Sequence, residues 1–158
     1  DRMGLMSRLN ATDFVYYVGH AEHHATNPLL SCWVLQDDRI TAQDFLQLRT
    51  PPALVFANAC QTGKETPHHD GDAFRTPVSG LASAFISAGV QNYLGTLMPV
   101  SAQGSLTFAR SFLNILLTGE PIGAAIRKAR QAVLDRHGVN DIVWASYVLY
   151  GGPSQTLF

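Results

Sequence analysis

Three short, nearly continuous apolar runs punctuate the chain: Asp13 to Val18, Ala53 to Ala59 and Val90 to Leu97. Each is too short and too β-prone for a helix, and each reads as a buried strand of the kind found in parallel sheets. Between them the spacing changes to that of helices. Val78, Leu81, Ala82 and Phe85 lie on one face, and a helix is predicted from Pro77 to Ala88, closed by Gly89. Ser101 can cap a helix whose stripe is Leu106, Ala109, Phe112, Leu113, Leu116 and Leu117. Gly119 stops it, and Pro121 opens another with Ile122, Ala125, Ile126, Ala129 and Val133 inward. Met3, Leu5, Met6 and Leu9 have rough helical spacing at the start, as in the tail of a helix whose preceding strand is absent.

The remaining pieces are smaller. Cys32 to Gln36 is β-prone, Asp37-Asp38 is a turn, and Arg39-Ile40 returns as a hairpin arm. Thr41 caps a short helix over 42–48, with Phe45, Leu46 and Leu48 as core contacts, and Pro51-Pro52 ends it. Trp144 to Tyr150 is the last strand. Strands separated by helices predict a mainly parallel, helix-flanked α/β sheet with right-handed crossovers and a small hairpin insertion. Polar stretches follow the first two strands: 20–28, and the longer 61–76, read equally as a surface insertion or a flap beside a groove.

Composition narrows the function. The 158 residues suffice for one core and one domain. A net charge of −1 gives no reason to expect a nucleic-acid or anionic-membrane partner. No apolar run approaches the roughly 20 residues that span a bilayer. The start has no signal-peptide pattern. Cys32 and Cys60 are too few for a disulfide framework, which favours a reducing, cytoplasmic setting.

The candidate chemistry lies at two strand ends. The first run leads into Gly19-His20 and the second into Ala59-Cys60. Open parallel sheets bind ligands beyond the carboxyl ends of their strands. If the strands are neighbours, an imidazole and a thiol meet there, the minimum apparatus for a cysteine nucleophile. The roughly 40 residues between His20 and Cys60 leave room for a hairpin and a crossover. Alone, His20 reads as a structural strand-end histidine and Cys60 as a small buried hydrophobe; together they read as a site. The run Asn58 to Gly63 matches a caspase-type Gln-Ala-Cys-x-Gly signature at Ala, Cys and Gln, with its glycine one place late.

With these motifs in view, the chain resembles the caspase-like CHAT peptidases, relatives of caspases and separase. The matching segments are Gly19-His20-Ala21, the Leu35 to Asp44 stretch, Ala59-Cys60-Gln61-Thr62, Gly80 to Gly89, Gly95-Thr96-Leu97-Met98 and Trp144 to Gly151. Each is weak alone, but six in order are specific. The resemblance implies a caspase-like fold whose opening strands lie outside this chain, attached domains, and a protein or peptide substrate. In that fold 14–18 would be an open sheet edge. Cys60 would attack a peptide carbonyl, and His20 would protonate the leaving amine. The backbone N–H groups of Cys60 and Ala21 would hold the oxyanion, one such donor being worth about 2.7–4 kcal/mol. No metal or other cofactor is required.

Ala21 stands where the family pattern has glycine, and Met98 where it has tryptophan. An acidic residue usual after that position is missing from 99–102. The substrate-binding residues therefore stay unassigned, and a catalytically silent CHAT-like interaction module is the alternative. A zinc hydrolase is the other rival. His20, His23 and His24 are possible ligands, and His20-Ala21-Glu22 matches half of a deaminase signature. The Pro-Cys-x-x-Cys half is absent. His23, His24, His68 and His69 read as solvated loop residues.

Overall fold

The computed structural model describes residues 2–24, 26–61 and 80–158; of Cys60 and Gln61 it describes the backbone alone. The elements are α1 (Arg2–Leu9), β1 (Phe14–Glu22), a 3-10 turn (Pro28–Leu30), β2 (Cys32–Val34), β3 (Arg39–Thr41) and α2 (Ala42–Phe45). Then follow β4 (Leu54–Gln61), α3 (Gly80–Ser87), β5 (Asn92–Thr96), α4 (Ala102–Leu116), α5 (Ile122–His137), α6 (Val143–Ser146) and β6 (Tyr147–Tyr150). The six strands form one mixed sheet in the order β3-β2-β1-β4-β5-β6. Its core, β1-β4-β5, is parallel, and its margins are antiparallel.

The alternation of β4 sorts the core into two layers. Val55, Ala57 and Ala59 pack with Leu9, Phe45, Leu81 and Phe85, from α1, α2 and α3. Leu54 and Phe56 pack with Phe108, Phe112, Ala125, Ala129 and Tyr147, on the α4–α5 side. Both faces are covered, which is why β4 reads as a continuous apolar run. Trp33 stacks on Tyr17 at 4.0 Å and meets the edge of Phe45 at 4.9 Å, so the hairpin is anchored in the first layer.

Several expectations need correcting. β1 is not buried on both faces: Tyr16 is 37% and Val18 63% exposed, because Phe14 and Tyr16 are the last β1 side chains that reach the second layer. β1 also runs past His20 to Glu22, since β2 pairs antiparallel with His20, Ala21 and Glu22 and holds the chain extended. Along 14–19, β4 is its one strand partner among the described residues. The helix predicted over 42–48 stops at Phe45, and Leu46 is exposed while Leu48 is buried. Leu106 and Leu117 are exposed too, and Ser105 and Phe108 take their place inside.

The last segment differs most. Val143–Ser146 is a helical turn, and only Tyr147–Tyr150 is strand, antiparallel to β5. α4, α5 and the short α6 turn lie between β5 and β6, so this connection holds two long helices where, among the described residues, β4 and β5 are joined through one. One crossover helix keeps strands parallel; two in series reverse them. The predicted helix start Pro77–Ser79, with Val78, lies outside the described residues, as does 62–76.

Gly80 opens α3 against the 3-10 turn: a Cβ there would sit 2.1 Å from the Pro28 carbonyl oxygen. Backbone cannot yield as a side-chain tip can. Gly80→Ala is therefore expected to destabilise the fold by about 1–3 kcal/mol through overpacking, read from chemical denaturation. An unchanged midpoint would show that the turn moves freely.

Candidate active site

β1 and β4 flank the point where the strand order reverses: the chain leaves β1 toward β2 and β3, and continues beyond β4 toward β5 and β6. In open α/β sheets the crevice at the carboxyl ends of such a pair is the favoured ligand site. The register sets the Cα of Phe14 against Leu54, Val18 against Asn58 and His20 against Cys60. Adjacent strands lie about 4.8 Å apart. Positions 20 and 60 therefore sit side by side, in the same phase of the pleat, at the carboxyl end of the switch point.

His20 is exposed, on the uncovered face that also carries Tyr16 and Val18. Its backbone is fixed from the other face. The Tyr17 hydroxyl reaches the carbonyls of His20 and Val34, at 2.8 and 3.0 Å. Its ring passes beneath Gly19, where a Cβ would lie 2.6 Å from the hydroxyl. That is the physical content of glycine before the histidine. Burial, then the Cys32 thiol, push the Tyr17 pKa up, so it donates as a neutral phenol.

The same device recurs on β5. Tyr93 lies under Gly95, where a Cβ would be 2.8 Å from the ring. The following residue, buried Thr96, donates to the Ala59 carbonyl at 2.8 Å, one residue before Cys60. Paired β4–β5 register is found from Leu54 to Phe56, so Thr96 ties the strands together beyond it. Asn58 completes the setting, accepting from the Tyr147 hydroxyl at 2.7 Å and donating to the Tyr16 hydroxyl at 3.3 Å. Tyr17, Thr96 and Asn58 were missed in the sequence. Their one signal was a hydroxyl or amide beside each strand-end motif.

Glu22 turns outward to Arg39, which grips both carboxylate oxygens at 3.1 and 3.2 Å. Hydrogen bonds from Arg39 hold its carboxyl below the usual range. The pair is fully formed above the ordinary carboxylate range and is lost as pH falls through the lowered value; being exposed, it contributes little. The His24 ring accepts the Asn27 N–H at 3.1 Å, and the His24 backbone N–H donates to the Ser31 hydroxyl, also at 3.1 Å. His24 thus shapes the turn before β2. Among the described residues no group of three His, Cys, Asp or Glu side chains could hold a metal ion. His68 and His69 lie outside them.

Ala21, expected in a loop, is buried in the sheet between Trp33 of β2 and Gln61 of β4. Met98, just past β5, is 40% exposed. Cys32 is free and buried, and its Sγ faces the Glu22 carboxylate at 3.9 Å. Burial first, and the Glu22 charge second, raise its pKa. Cys32 is expected to resist alkylation at neutral pH, as read by peptide mass spectrometry; rapid modification would contradict its burial.

A CHAT domain family model matches residues 3–152. The chain belongs to the CHAT domain family. This caspase-like family accounts for the order of motifs and the helix-flanked mixed sheet. The CHAT domain is similar to Tetratricopeptide repeat protein 28 of Homo sapiens, 33% identical over 124 residues, covering 76% of this chain and 5% of the relative. The Mus musculus protein of the same name is 31% identical over 124 residues, with the same coverage. The chain spans about 5% of the length of these curated relatives.

Proposed function

We propose that this CHAT domain is a cysteine endopeptidase in which Cys60 is the nucleophile and His20 the proton carrier. The observation that carries the reading is the in-register pairing of His20 with Cys60 at the switch point. The Cys60 thiolate adds to the scissile carbonyl. The tetrahedral intermediate then collapses as His20 delivers a proton to the leaving amine, and water hydrolyses the thioester. The Cys60 N–H is one oxyanion donor and the Ala21 N–H the other. The exposed His20 face is open to a peptide, with Val18 as an apolar shelf beside it. The protein acts as one module beside others, as the repeat-containing relatives suggest, in a reducing cytoplasmic setting that keeps the thiol free. No helix among the described residues is long and apolar enough to cross a membrane.

A second reading, a silent interaction module, is favoured by one specific observation. Ala21 is buried in the sheet between two strand partners, whereas the oxyanion role needs its N–H turned toward a bound substrate. One experiment separates the two. A peptide carrying a thiol-reactive group is expected to label the protein, and Cys60→Ala to abolish labelling. A folded protein that stays unlabelled across a library of such peptides is the silent module.

A further inference from the structure

The outer side of the α4–α5 pair carries a groove of about 450 Å³. Its lining includes Leu106, Thr107 and Arg110 from α4, and Ala132, Arg136 and His137 from α5. None of these belongs to the core that packs on the sheet. Its lining sets aliphatic Leu106 and Ala132 beside polar Gln103 and Ser111 and the basic side chains, and no carboxylate lines it. Among the described residues neither Arg110 nor Arg136 has an ion-pair partner. The carboxylates nearest in sequence are engaged elsewhere: Glu120, beyond Arg110, pairs with Lys128, while Asp135 and Asp141, flanking Arg136, accept from Gln131 and Ser101.

Helix electrostatics explain only part of this. Arg136 and His137 sit in the last turn of α5, where cations are favoured. Arg110 is in the middle of α4 and has no such reason to be there. The His137 ring is also held in place. The Thr107 hydroxyl donates to the Gln103 carbonyl at 3.0 Å, so it accepts from His137 Nε2, 2.8 Å away. Thr107 and Arg110 are three residues apart, about 4.5 Å along the axis. Basic groups thus stand at successive levels above an apolar floor formed by half-exposed Leu106 and by Ala132.

We propose that this groove binds a short acidic peptide segment, with carboxylates on Arg110 and Arg136 and an aliphatic side chain against Leu106 and Ala132. A single small anion would meet one level of charge and leave the floor empty. A nucleic-acid backbone would meet the arginines but brings no aliphatic side chain to Leu106 and Ala132. Bidentate guanidinium–carboxylate bonding is the recognition chemistry. The proposal is independent of the roles given to Cys60 and His20.

The test is fluorescence anisotropy with a labelled peptide of alternating Glu and Leu, beside a Lys/Leu peptide, inorganic phosphate as competitor and a single-stranded oligonucleotide. The protein is expected to bind the acidic peptide alone, more weakly in high salt. Arg110→Gln/Arg136→Gln is expected to weaken binding at least about tenfold, and Arg110→Lys/Arg136→Lys less. Circular dichroism checks that both variants fold. Equal binding by the Gln variant, no binding at millimolar peptide, or equal capture of oligonucleotide or phosphate would overturn the proposal. If the Gln variant fails to fold, the Lys variant decides: weaker binding with the salt dependence kept is expected from loss of the bidentate fork, and unchanged affinity would overturn the proposal.

Discussion

Replacing Cys60 by alanine is expected to lower peptide hydrolysis about 10,000-fold or more, and replacing His20 nearly as much. The double variant should be no worse than Cys60→Ala, because groups that act as one unit do not contribute independently. The reason is geometric. A thiol at its ordinary pKa is only a few per cent thiolate near neutral pH, and an amine leaves poorly without a proton. In the proposed mechanism one imidazole meets both needs, and the register sets positions 20 and 60 a single strand spacing apart. Steady-state kcat/KM on a substrate chosen by library profiling is the measurement. Losses that multiply in the double variant would mean that His20 acts elsewhere. A His20→Ala variant with full activity would remove it from the mechanism.

The second large effect is on stability. Phe56 is fully buried at the centre of β4. It stacks on Tyr16 at 4.8 Å and meets Phe112 and Tyr147 edge-on at 5.1 and 5.8 Å. Phe56→Ala is expected to cost about 3–5 kcal/mol, from lost transfer energy and the cavity left behind. That is a large part of the roughly 5–15 kcal/mol that stabilises an ordinary domain. Leu106→Ala, by contrast, should stay within about 0.5 kcal/mol, because that side chain is half-exposed. Urea denaturation of the two variants measures the difference. Equal losses would mean that α4 packs on the sheet through a different face.

These contrasts show where the sequence was informative. All five inward positions expected on α5 are buried. The stripe there is long, and no alternative face is apolar. On α4 the pattern is broader: Leu106 and Leu117 fit the period as well as Phe108 does, and only the sheet's position decides which face turns in. The hairpin was legible because Asp37-Asp38 interrupts two β-prone pieces. Its effect on β1 was not. Polarity suggested that the strand ends before His20, but β2 supplies backbone partners as far as Glu22. Pairing is non-local, and a polar residue at a sheet end is extended whenever a neighbour offers a ladder. The reversal of β6 was hidden for a related reason, since direction depends on counting crossovers.

Of the candidate site the sequence offered two positions, 20 and 60, which the register sets side by side, and nothing of what surrounds them. His20 and Cys60 stood out because each follows an apolar run. Tyr17, Thr96 and Asn58 act through carbonyls and hydroxyls across strands. Such contacts leave no periodic trace. Gly19 and Gly95 gain a shared explanation only once Tyr17 and Tyr93 are seen lying under them.

The most direct measurement is the pH dependence of Cys60 alkylation by a small haloacetamide in the wild-type protein and in His20→Ala, followed by peptide mass spectrometry. If thiol and imidazole share one cleft, the wild-type rate holds up below the ordinary thiol pKa, and His20→Ala shifts the profile toward that of a free thiol. Superimposable profiles for the two proteins would contradict the account.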